Sequence, residues 1–227
     1  MPQLEHSMFY DVFFGQAEHD DHNQQSDLQL QKVLRFSPSL RTSIQASRLV
    51  VFDFETTGLD SEIDQIIEIG ALLVEAGKPV QEFSTLVKPT VELEDTITKI
   101  TGITKSMLED KPAIEEVLPE FLRFFDGSIL VAHNAEFDMG FLRKASALQG
   151  YQIDWPCFCT LKLARQLLPD LESKNLDTLA DHYNLSFEAR HRSIGDCKVT
   201  SSVLHALLRE EGEHLKSWKD FEPFYVK

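Results

Sequence analysis

Two carboxylates end the first strongly apolar segment of the sequence. Asp53 and Glu55 follow Leu49-Val50-Val51-Phe52 and are separated by a single residue. In a strand, residues two apart point to the same face, so both carboxylates project together. Like charges at a buried strand end are unfavourable unless one is protonated or a cation neutralises the pair. The spacing is typical of a metal site, although two solvated residues at a strand end give the same pattern.

Another acidic residue follows a second apolar run. Asp138 ends the sequence His133-Asn134-Ala135-Glu136-Phe137-Asp138, directly after Ile129-Leu130-Val131. In a mixed α/β sheet, ligand groups gather in the loops that leave the carboxyl ends of strands. Asp138 is expected early in the next helix, where interaction with the helix dipole stabilises a carboxylate by about 0.3 to 1 kcal/mol. That role explains Asp138 alone and predicts nothing about His133 or Asn134.

A third group places a histidine five residues before an aspartate, in His191-Arg192-Ser193-Ile194-Gly195-Asp196. Ser193 with Asp196 matches a capping box ahead of an apolar helix, which explains Asp196 without chemistry. Five residues along a straight helix rotate a side chain by about 140°. His191 and Asp196 therefore converge only if His191 precedes the helix, and we expect His191 on a loop, facing the pocket.

The order and spacing of these three groups resemble the DEDDh branch of the 3′→5′ exonucleases, within the ribonuclease H-like superfamily. The resemblance is greatest to the epsilon proofreading subunits of bacterial DNA polymerase III. It extends over about residues 48–208 and includes Ile66-Ile67-Glu68-Ile69-Gly70. One departure is Thr101, because epsilon-like proteins often place a histidine immediately before the equivalent of Gly102.

The resemblance implies that the five residues Asp53, Glu55, Asp138, His191 and Asp196 are catalytic. The four carboxylates would hold two Mg²⁺ or Mn²⁺ ions, which balance their charge and prefer oxygen ligands. His191, with an ordinary pKa of about 6.5, would be the general base. Substrate contacts are implied for Thr56, Thr57, Gly58, His133, Asn134 and Phe137. The product would be a nucleoside 5′-monophosphate from the 3′ end of single-stranded or frayed DNA.

Two alternatives stay open. Ribonuclease T and oligoribonuclease use the same five residue types, so RNA is the alternative substrate, with DNA favoured. The second alternative is an accessory subunit recruited by a polymerase or a sliding clamp. With 22 basic and 37 acidic residues, the chain is expected to hold duplex poorly by itself. Gln25-Ser26-Asp27-Leu28-Gln29-Leu30 loosely resembles the peptides that dock on sliding clamps.

Apolar periodicity predicts the elements that position these residues. Short apolar runs predict strands over residues 49–52, 66–74, 80–87 and 129–131, the second and third joined by a hairpin. Spacings of three and four predict helices over residues 112–125, 135–148, 161–168, 176–183 and 194–209. The predicted fold class is α/β, a ribonuclease H-like mixed five-stranded sheet flanked by helices.

Three regions are predicted along the chain. Residues 1–47 read as a peripheral or partly disordered extension with one short helix over residues 27–36. Residues 48–210 form the exonuclease domain, and residues 211–227 form an aromatic tail. The tail is expected to fold back on the domain, with a partner-binding peptide as the alternative.

Composition favours a protein of the cytoplasm. The longest run without Asp, Glu, Lys or Arg, residues 199–208, is far shorter than the roughly 20 residues of a spanning helix. The first residues lack the basic region of a secretory signal. Cys157, Cys159 and Cys197 contain no CxxC pair, so neither a disulfide framework nor a zinc site is indicated. We expect them to be core thiols.

Overall fold

The structure, a computed structural model, describes residues 32–36, 47–212, 214–217 and 219–226. Within these ranges the strands are Lys32–Arg35 (β1), Arg48–Thr56 (β2), Ile66–Glu75 (β3), Lys78–Leu86 (β4), Ile129–Ala132 (β5), Tyr151–Asp154 (β6), Cys157–Cys159 (β7) and Tyr225–Val226 (β8). The α-helices are Asp95–Thr101 (α1), Lys105–Leu108 (α2), Ile114–Phe124 (α3), Ala135–Leu148 (α4), Thr160–Leu167 (α5), Leu176–His182 (α6) and Ser193–Glu210 (α7), and Glu222–Phe224 forms a 3₁₀ turn.

The main sheet is mixed, which confirms the predicted fold class. Its strand order is β4-β3-β2-β5-β7-β8, with β2, β5 and β7 parallel and the other neighbours antiparallel. The described part of this sheet has six strands rather than the five predicted, because the chain returns at β8 to pair with β7. A separate two-stranded parallel sheet joins β1 to β6.

Strand β2 lies between β3 and β5 in the sheet, and both of its faces are covered. Phe52 and Phe54 pack against Phe121 of α3 on one face, with ring centroids 5.9 and 5.7 Å from that of Phe121. Val51, on the opposite face, belongs to a core that includes Val203 of α7. Residues that alternate along β2 therefore face α3 and α7 in turn. Asp53 and Glu55 share the α7 face with Val51.

The hairpin predicted between β3 and β4 is confirmed. Ala76 and Gly77 form its turn with φ values of 49° and 74°, the left-handed geometry of the tight turns that match strand twist. Nine of the ten residues of β3 are buried, and only Glu75 at its end is exposed. A strand with such an apolar sequence is expected in the middle of a covered sheet.

The helix predicted over residues 27–36 is wrong where the structure describes it. Residues 32–35 form strand β1, in parallel register with β6. Phe36 stacks on Trp155, with ring centroids 5.0 Å apart, and Arg35 contacts Asp154. These contacts come from residues more than 100 positions away in the chain, and they outweigh the weak local helix pattern. The remaining residues of that predicted helix lie outside the described ranges.

The aromatic tail folds back on the domain, as predicted for the residues that are described. Phe221 and Phe224 are buried, and the ring centroids of Phe221 and Phe158 of β7 lie 5.1 Å apart.

The three cysteines are buried and unpaired, which confirms their prediction as core thiols. The domain boundaries at residues 47 and 210 stay predictions. None of the described helices has the length and apolar character needed to span a bilayer.

Candidate active site

Three carboxylates from two elements meet at one point. Asp53 and Glu55 lie on β2, and Asp196 lies in the first turn of α7. Each offers an oxygen within 4.8 Å of an oxygen of the other two. They meet because residues two apart on β2 face α7, and α7 packs across β2 and β3.

Asp138, on α4, lies close to Asp53 but outside the group of three whose oxygens lie within 4.8 Å of one another. Its side chain is buried, and Oδ1 accepts a hydrogen bond of 3.1 Å from the backbone N–H of Phe54, between the two β2 carboxylates. The loop before α4 turns sharply at Asn134, which has φ 64° and ψ 45°. This turn lets the helix start directly at the end of β5. All four predicted carboxylates are therefore gathered at the carboxyl ends of β2 and β5.

Burial and mutual repulsion disfavour the charged forms of these carboxylates. Burial, followed by the charges of Asp138, Glu55 and Asp196, raises the pKa of Asp53 well above its ordinary value. Burial is also the main cause for the other three: it raises the pKa of Glu55 to about 8, of Asp138 to about 7 and of Asp196 to about 6. Such a cluster needs positive charge to stay ionised at neutral pH.

Part of that charge comes from Arg190, which the sequence prediction missed. Its Nη1 donates to Oδ2 of Asp196 across 2.8 Å, while Nε and Nη2 bind the carboxylate of Asp177 at 2.6 and 2.9 Å. Its guanidinium also lies over the ring of Phe187, 4.9 Å from the centroid. No short motif marks such a residue, because its partners lie on both sides of it in the sequence.

His191 precedes α7, as predicted, and has a left-handed backbone with φ 56°. It is partly buried, but it does not line the cavity beside the carboxylates as expected; Arg190 does. Nδ1 of His191 lies 3.2 Å from Nη1 of Arg190. Burial and the charge of Arg190 lower the pKa of His191, so the imidazole is neutral at physiological pH.

The capping box predicted at the start of α7 is wrong. The N-cap is Arg192, and Ser193 is already the first helical residue. The backbone N–H of Ser193 donates instead to Oε2 of Glu68 on β3, across 3.0 Å. A distant strand therefore supplies the acceptor that the local sequence pattern assigned to a neighbouring side chain. Glu68 and Arg192 are further residues that the prediction missed; the signal was a carboxylate within a continuous apolar strand.

A cavity of about 740 Å³ opens beside the carboxylates. Four of the predicted site residues line it: Asp53, His133, Asn134 and Asp196. Three basic side chains line it as well: Arg165 of α5, Lys174 of the following loop and Arg190. Nδ1 of His133 lies 2.9 Å from Oγ1 of Thr160. Burial lowers the pKa of His133 to about 4, so this imidazole is neutral.

The other predicted substrate residues lie close in sequence to the carboxylates but do not line this cavity. Thr56 and Thr57 are buried, and Gly58 follows them in a loop closed by Asp64. Oγ1 of Thr57 donates to Asp64 and accepts from the backbone N–H of Gln65, which fixes the turn. Phe137 of α4 packs on Phe141, with ring centroids 5.0 Å apart.

The residues fit a divalent metal ion. Carboxylate oxygens are the ligands that Mg²⁺ and Mn²⁺ prefer. Oδ1 of Asp196 is buried and has no hydrogen-bond partner among the described residues. Burial raises the pKa of Asp196, and the charge of Arg190 offsets only part of that effect. A cluster of this kind on a ribonuclease H-like mixed sheet defines a class of protein, the metal-dependent nucleases.

The chain belongs to the exonuclease family. The family model described as exonuclease matches residues 50–204. A DNA polymerase III subunit epsilon from Aquifex aeolicus is 38% identical over 175 residues, covering 77% of this chain and 87% of that protein. The predicted resemblance to the epsilon group is confirmed. The family depends on divalent metal ions, in agreement with the carboxylate cluster.

Other relatives are much longer or more distant. A PolC-type DNA polymerase III from Clostridium perfringens is 43% identical over 166 residues, and the chain spans only 12% of its length. The solved structure of exonuclease X in complex with 5′-overhanging duplex DNA has a TM-score of 0.61 and 31% identity, covering 72% of this chain and 93% of that chain. An exonuclease I structure has 17% identity and a TM-score of 0.66, and the match covers 74% of this chain and 42% of that chain. At this identity the likeness supports the fold alone.

Proposed function

We propose that the protein is a 3′→5′ exonuclease that uses two Mg²⁺ or Mn²⁺ ions to release nucleoside 5′-monophosphates from single-stranded or frayed DNA. The observation that carries the proposal is the meeting of the Asp53, Glu55 and Asp196 oxygens within 4.8 Å, beside a cavity. Family membership supports the reaction class. The chain spans only 12% of the length of its PolC-type relative from Clostridium perfringens, so we also propose, and do not carry over, its substrate and partners.

Three structural features hold the four carboxylates in place. Asp53 and Glu55 are fixed by the pairing of β2, Asp138 by the Phe54 amide, and Asp196 by the start of α7. When bound, a pair of divalent ions activates water and stabilises the charge that develops on the oxygens of the transferred phosphoryl group. The chain holds its four ligands at the end of a rigid sheet, which limits their reorganisation during the reaction.

His191 is proposed as the general base. Its neutral imidazole can accept a proton from water. Because the pKa of His191 is lowered, the neutral form persists to lower pH than in an ordinary histidine. A guanidinium only donates hydrogen bonds, so the contact with Arg190 makes Nδ1 an acceptor and leaves the proton on Nε2. Proton transfer to Nδ1 therefore requires Arg190 to move away from that nitrogen.

A 3′-end assay tests the proposal. Single-stranded DNA labelled at its 3′ or 5′ end is incubated with the protein and Mg²⁺, with and without EDTA. We expect 3′ label to appear first as a 5′-mononucleotide, EDTA to abolish release, and His191→Ala to lower kcat by about 100- to 10,000-fold. His205→Ala is the control, because His205 lies on α7 and contacts the carbonyl of Ser201 instead. Release from the 5′ end, or release insensitive to EDTA, contradicts the proposal.

The preference for DNA over RNA rests on relatives. Exonuclease X, which shares 31% identity with this chain, was solved with duplex DNA carrying a 5′ overhang. Competition between DNA and RNA oligonucleotides of equal sequence and 3′ label tests the preference. We expect DNA to be degraded faster, and a preference of more than about tenfold for RNA, equal to about 1.4 kcal/mol in the transition state, would assign the site to an exoribonuclease.

Proofreading with a DNA polymerase subunit is the proposed context, supported by the relative named subunit epsilon. Residues 48–210 would form the catalytic domain. The sequence that resembles a clamp-binding peptide lies outside the described residues, and its role stays a prediction. Location in the cytoplasm also stays a prediction, to which the three buried and unpaired cysteines are suited.

A further inference from the structure

The ion pair between Glu68 and Arg192 lies beside the carboxylate cluster and is not part of it. Glu68 on β3 is 1% exposed, and its carboxylate faces the guanidinium of Arg192. Nε of Arg192 lies 3.1 Å from each carboxylate oxygen and Nη2 lies 2.5 Å from Oε1. The backbone N–H of Ser193 adds a third donor at 3.0 Å from Oε2. Glu68 therefore binds two consecutive residues at the start of α7.

The position of Glu68 in the sheet connects this pair to the metal-binding carboxylates. In the antiparallel register of β2 and β3, Glu68 lies opposite Glu55 and Gly70 lies opposite Asp53. Opposite residues share a face of the sheet. The β3 partners of both β2 carboxylates are thus turned toward α7, the helix that carries Asp196.

Gly70 brings the helix close to the strand. A Cβ atom at this position would lie 2.5 Å from the backbone nitrogen of Ile194 and 2.6 Å from Oγ of Ser193. The first turn of α7 therefore rests on the backbone of β3, and Glu68 holds it there through Arg192 and Ser193. Because Arg192 stands between His191 and the helix, the same contact also fixes the loop end that carries His191.

We propose that Glu68 and Arg192 are positioning residues that set His191 and Asp196 at their working distance from Asp53 and Glu55. The inference rests on the proposed function, because it assigns these two residues a role in that reaction. Glu68 reaches the chemistry only through Arg192 and the Ser193 amide. Glu68 therefore positions the catalytic groups and does not itself take part in the reaction.

Charge supports this role as well as geometry. Arg192 lies near Glu55 as well as Glu68, and both carboxylates stabilise its positive charge. Glu68 and Glu55 repel each other across the strand pair, and Arg192 is attracted to both. Glu68 is buried and Arg192 is partly exposed, so desolvation of the Glu68 carboxylate offsets much of the attraction, whereas loss of Arg192 leaves an uncompensated buried charge. The pair is therefore better suited to fixing geometry than to adding stability.

The test compares Glu68→Gln, Arg192→Lys and Arg192→Gln with the parent in the full chain. Arg192→Lys keeps the charge without the two-pronged geometry, and its partly exposed side chain makes it the safer variant for folding. Val203→Ala, in the buried core face of α7 away from the carboxylates, is the control for a simple loss of stability. The readouts are kcat and KM on 3′-labelled DNA and the affinity for Mn²⁺ measured by calorimetry.

We expect Glu68→Gln and Arg192→Gln to lower kcat and Mn²⁺ affinity by about 10- to 100-fold, which is the usual effect of losing a residue that orients a metal ligand. KM should change by less than about threefold. Arg192→Lys should fall between these variants and the parent. The proposal is overturned if the variants keep the parental kcat and Mn²⁺ affinity, or if Val203→Ala loses as much of both at assay temperature.

Mn²⁺ binding separates this inference from the proposed function. If the parent binds Mn²⁺ but releases no 3′ nucleotide, the proposed function fails, while a fall in affinity in Glu68→Gln still supports positioning of Asp196. If the parent is active and Glu68→Gln matches it in both readouts, the positioning role alone fails.

Discussion

Gly70 lies directly opposite Asp53 in the pairing of β2 with β3, and a Cβ atom on Gly70 would lie 2.5 Å from the backbone nitrogen of Ile194. The closeness of strand β3 to helix α7 therefore depends on the absence of a side chain at this position. The same closeness brings Asp196 to Asp53. A residue with no chemistry of its own sets the size of the proposed metal site.

Gly70→Ala should push α7 away from the sheet. The clash is with backbone atoms, which cannot rotate aside, so we expect a loss of about 1 to 3 kcal/mol in the free energy of unfolding. A displacement of about 1 Å at Asp196 should lower kcat about 100-fold. Denaturant unfolding and the 3′-release assay measure the two effects. A variant with parental kcat would show that the spacing of β3 and α7 does not control the site.

Asp53→Asn should change activity and stability in opposite directions. Removing a cation ligand costs several kcal/mol of transition-state stabilisation, so kcat should fall by about 100- to 10,000-fold. In EDTA the same change removes a buried carboxyl whose charged form is disfavoured in the folded protein, and we expect a gain of about 0.5 to 2 kcal/mol in the free energy of unfolding. Asp154→Asn, at an exposed pair with Arg35, is the control. Lower stability in EDTA for Asp53→Asn would count against the electrostatic description of the site.

Much of the site followed from local spacing. The alternation of β2 placed Asp53 and Glu55 on one face, and helix geometry placed His191 before α7; the structure has both arrangements. These features depend on residues within five positions of each other. Helices α3 to α7 were also predicted to within a few residues, because each carries a clear apolar stripe.

The remaining features depend on contacts between distant residues. Glu68 and Arg192 are 124 positions apart, and no local pattern shows that one carboxylate replaces the expected capping box of α7. Strand β1 has only four residues and takes its conformation from β6. Strands β6 and β7 have four and three residues and are separated by Trp155 and Pro156, so each is too short to show a strand pattern in the sequence.

The stability of the metal-free protein should fall as the pH rises from about 5.5 to 8. The pKa values of Glu55 and Asp138, about 8 and 7 in the folded protein, lie above their ordinary values of 4.5 and 3.8. The folded state therefore binds more protons than the unfolded state in this range, and unfolding is favoured as the pH increases.

Thermal unfolding at fixed ionic strength measures this dependence. One pKa unit corresponds to about 1.4 kcal/mol, and each kcal/mol to roughly 2 to 4 °C in a chain of this size, so Tm in EDTA should fall by at least about 3 °C. Saturating Mg²⁺ should remove most of this fall, because the ions bind the ionised carboxylates. Equal pH dependence with and without Mg²⁺ would show that the carboxylates do not form the binding site.

Arg190→Ala should strengthen binding of a divalent ion. The Arg190 guanidinium binds Oδ2 of Asp196 across 2.8 Å and competes for the same carboxylate. A hydrogen bond between charged groups is worth about 1.5 kcal/mol, so its loss should raise Mn²⁺ affinity about tenfold. Arg165→Ala, at an exposed cavity residue, is the matched control. Calorimetric titration with Mn²⁺ distinguishes them, and weaker binding by Arg190→Ala would mean that Arg190 supports the site instead of competing for it.

Anomalous diffraction from crystals soaked with Mn²⁺ and a nucleoside 5′-monophosphate tests the central claim most directly. We predict two Mn²⁺ peaks about 3.5 to 4 Å apart, with oxygens of Asp53, Glu55, Asp138 and Asp196 as ligands at about 2.0 to 2.2 Å and the nucleotide phosphate between the ions. Crystals of Asp53→Asn should lose at least one peak. Strong Mn²⁺ peaks elsewhere, with none at the four carboxylates, would contradict the assignment of this site.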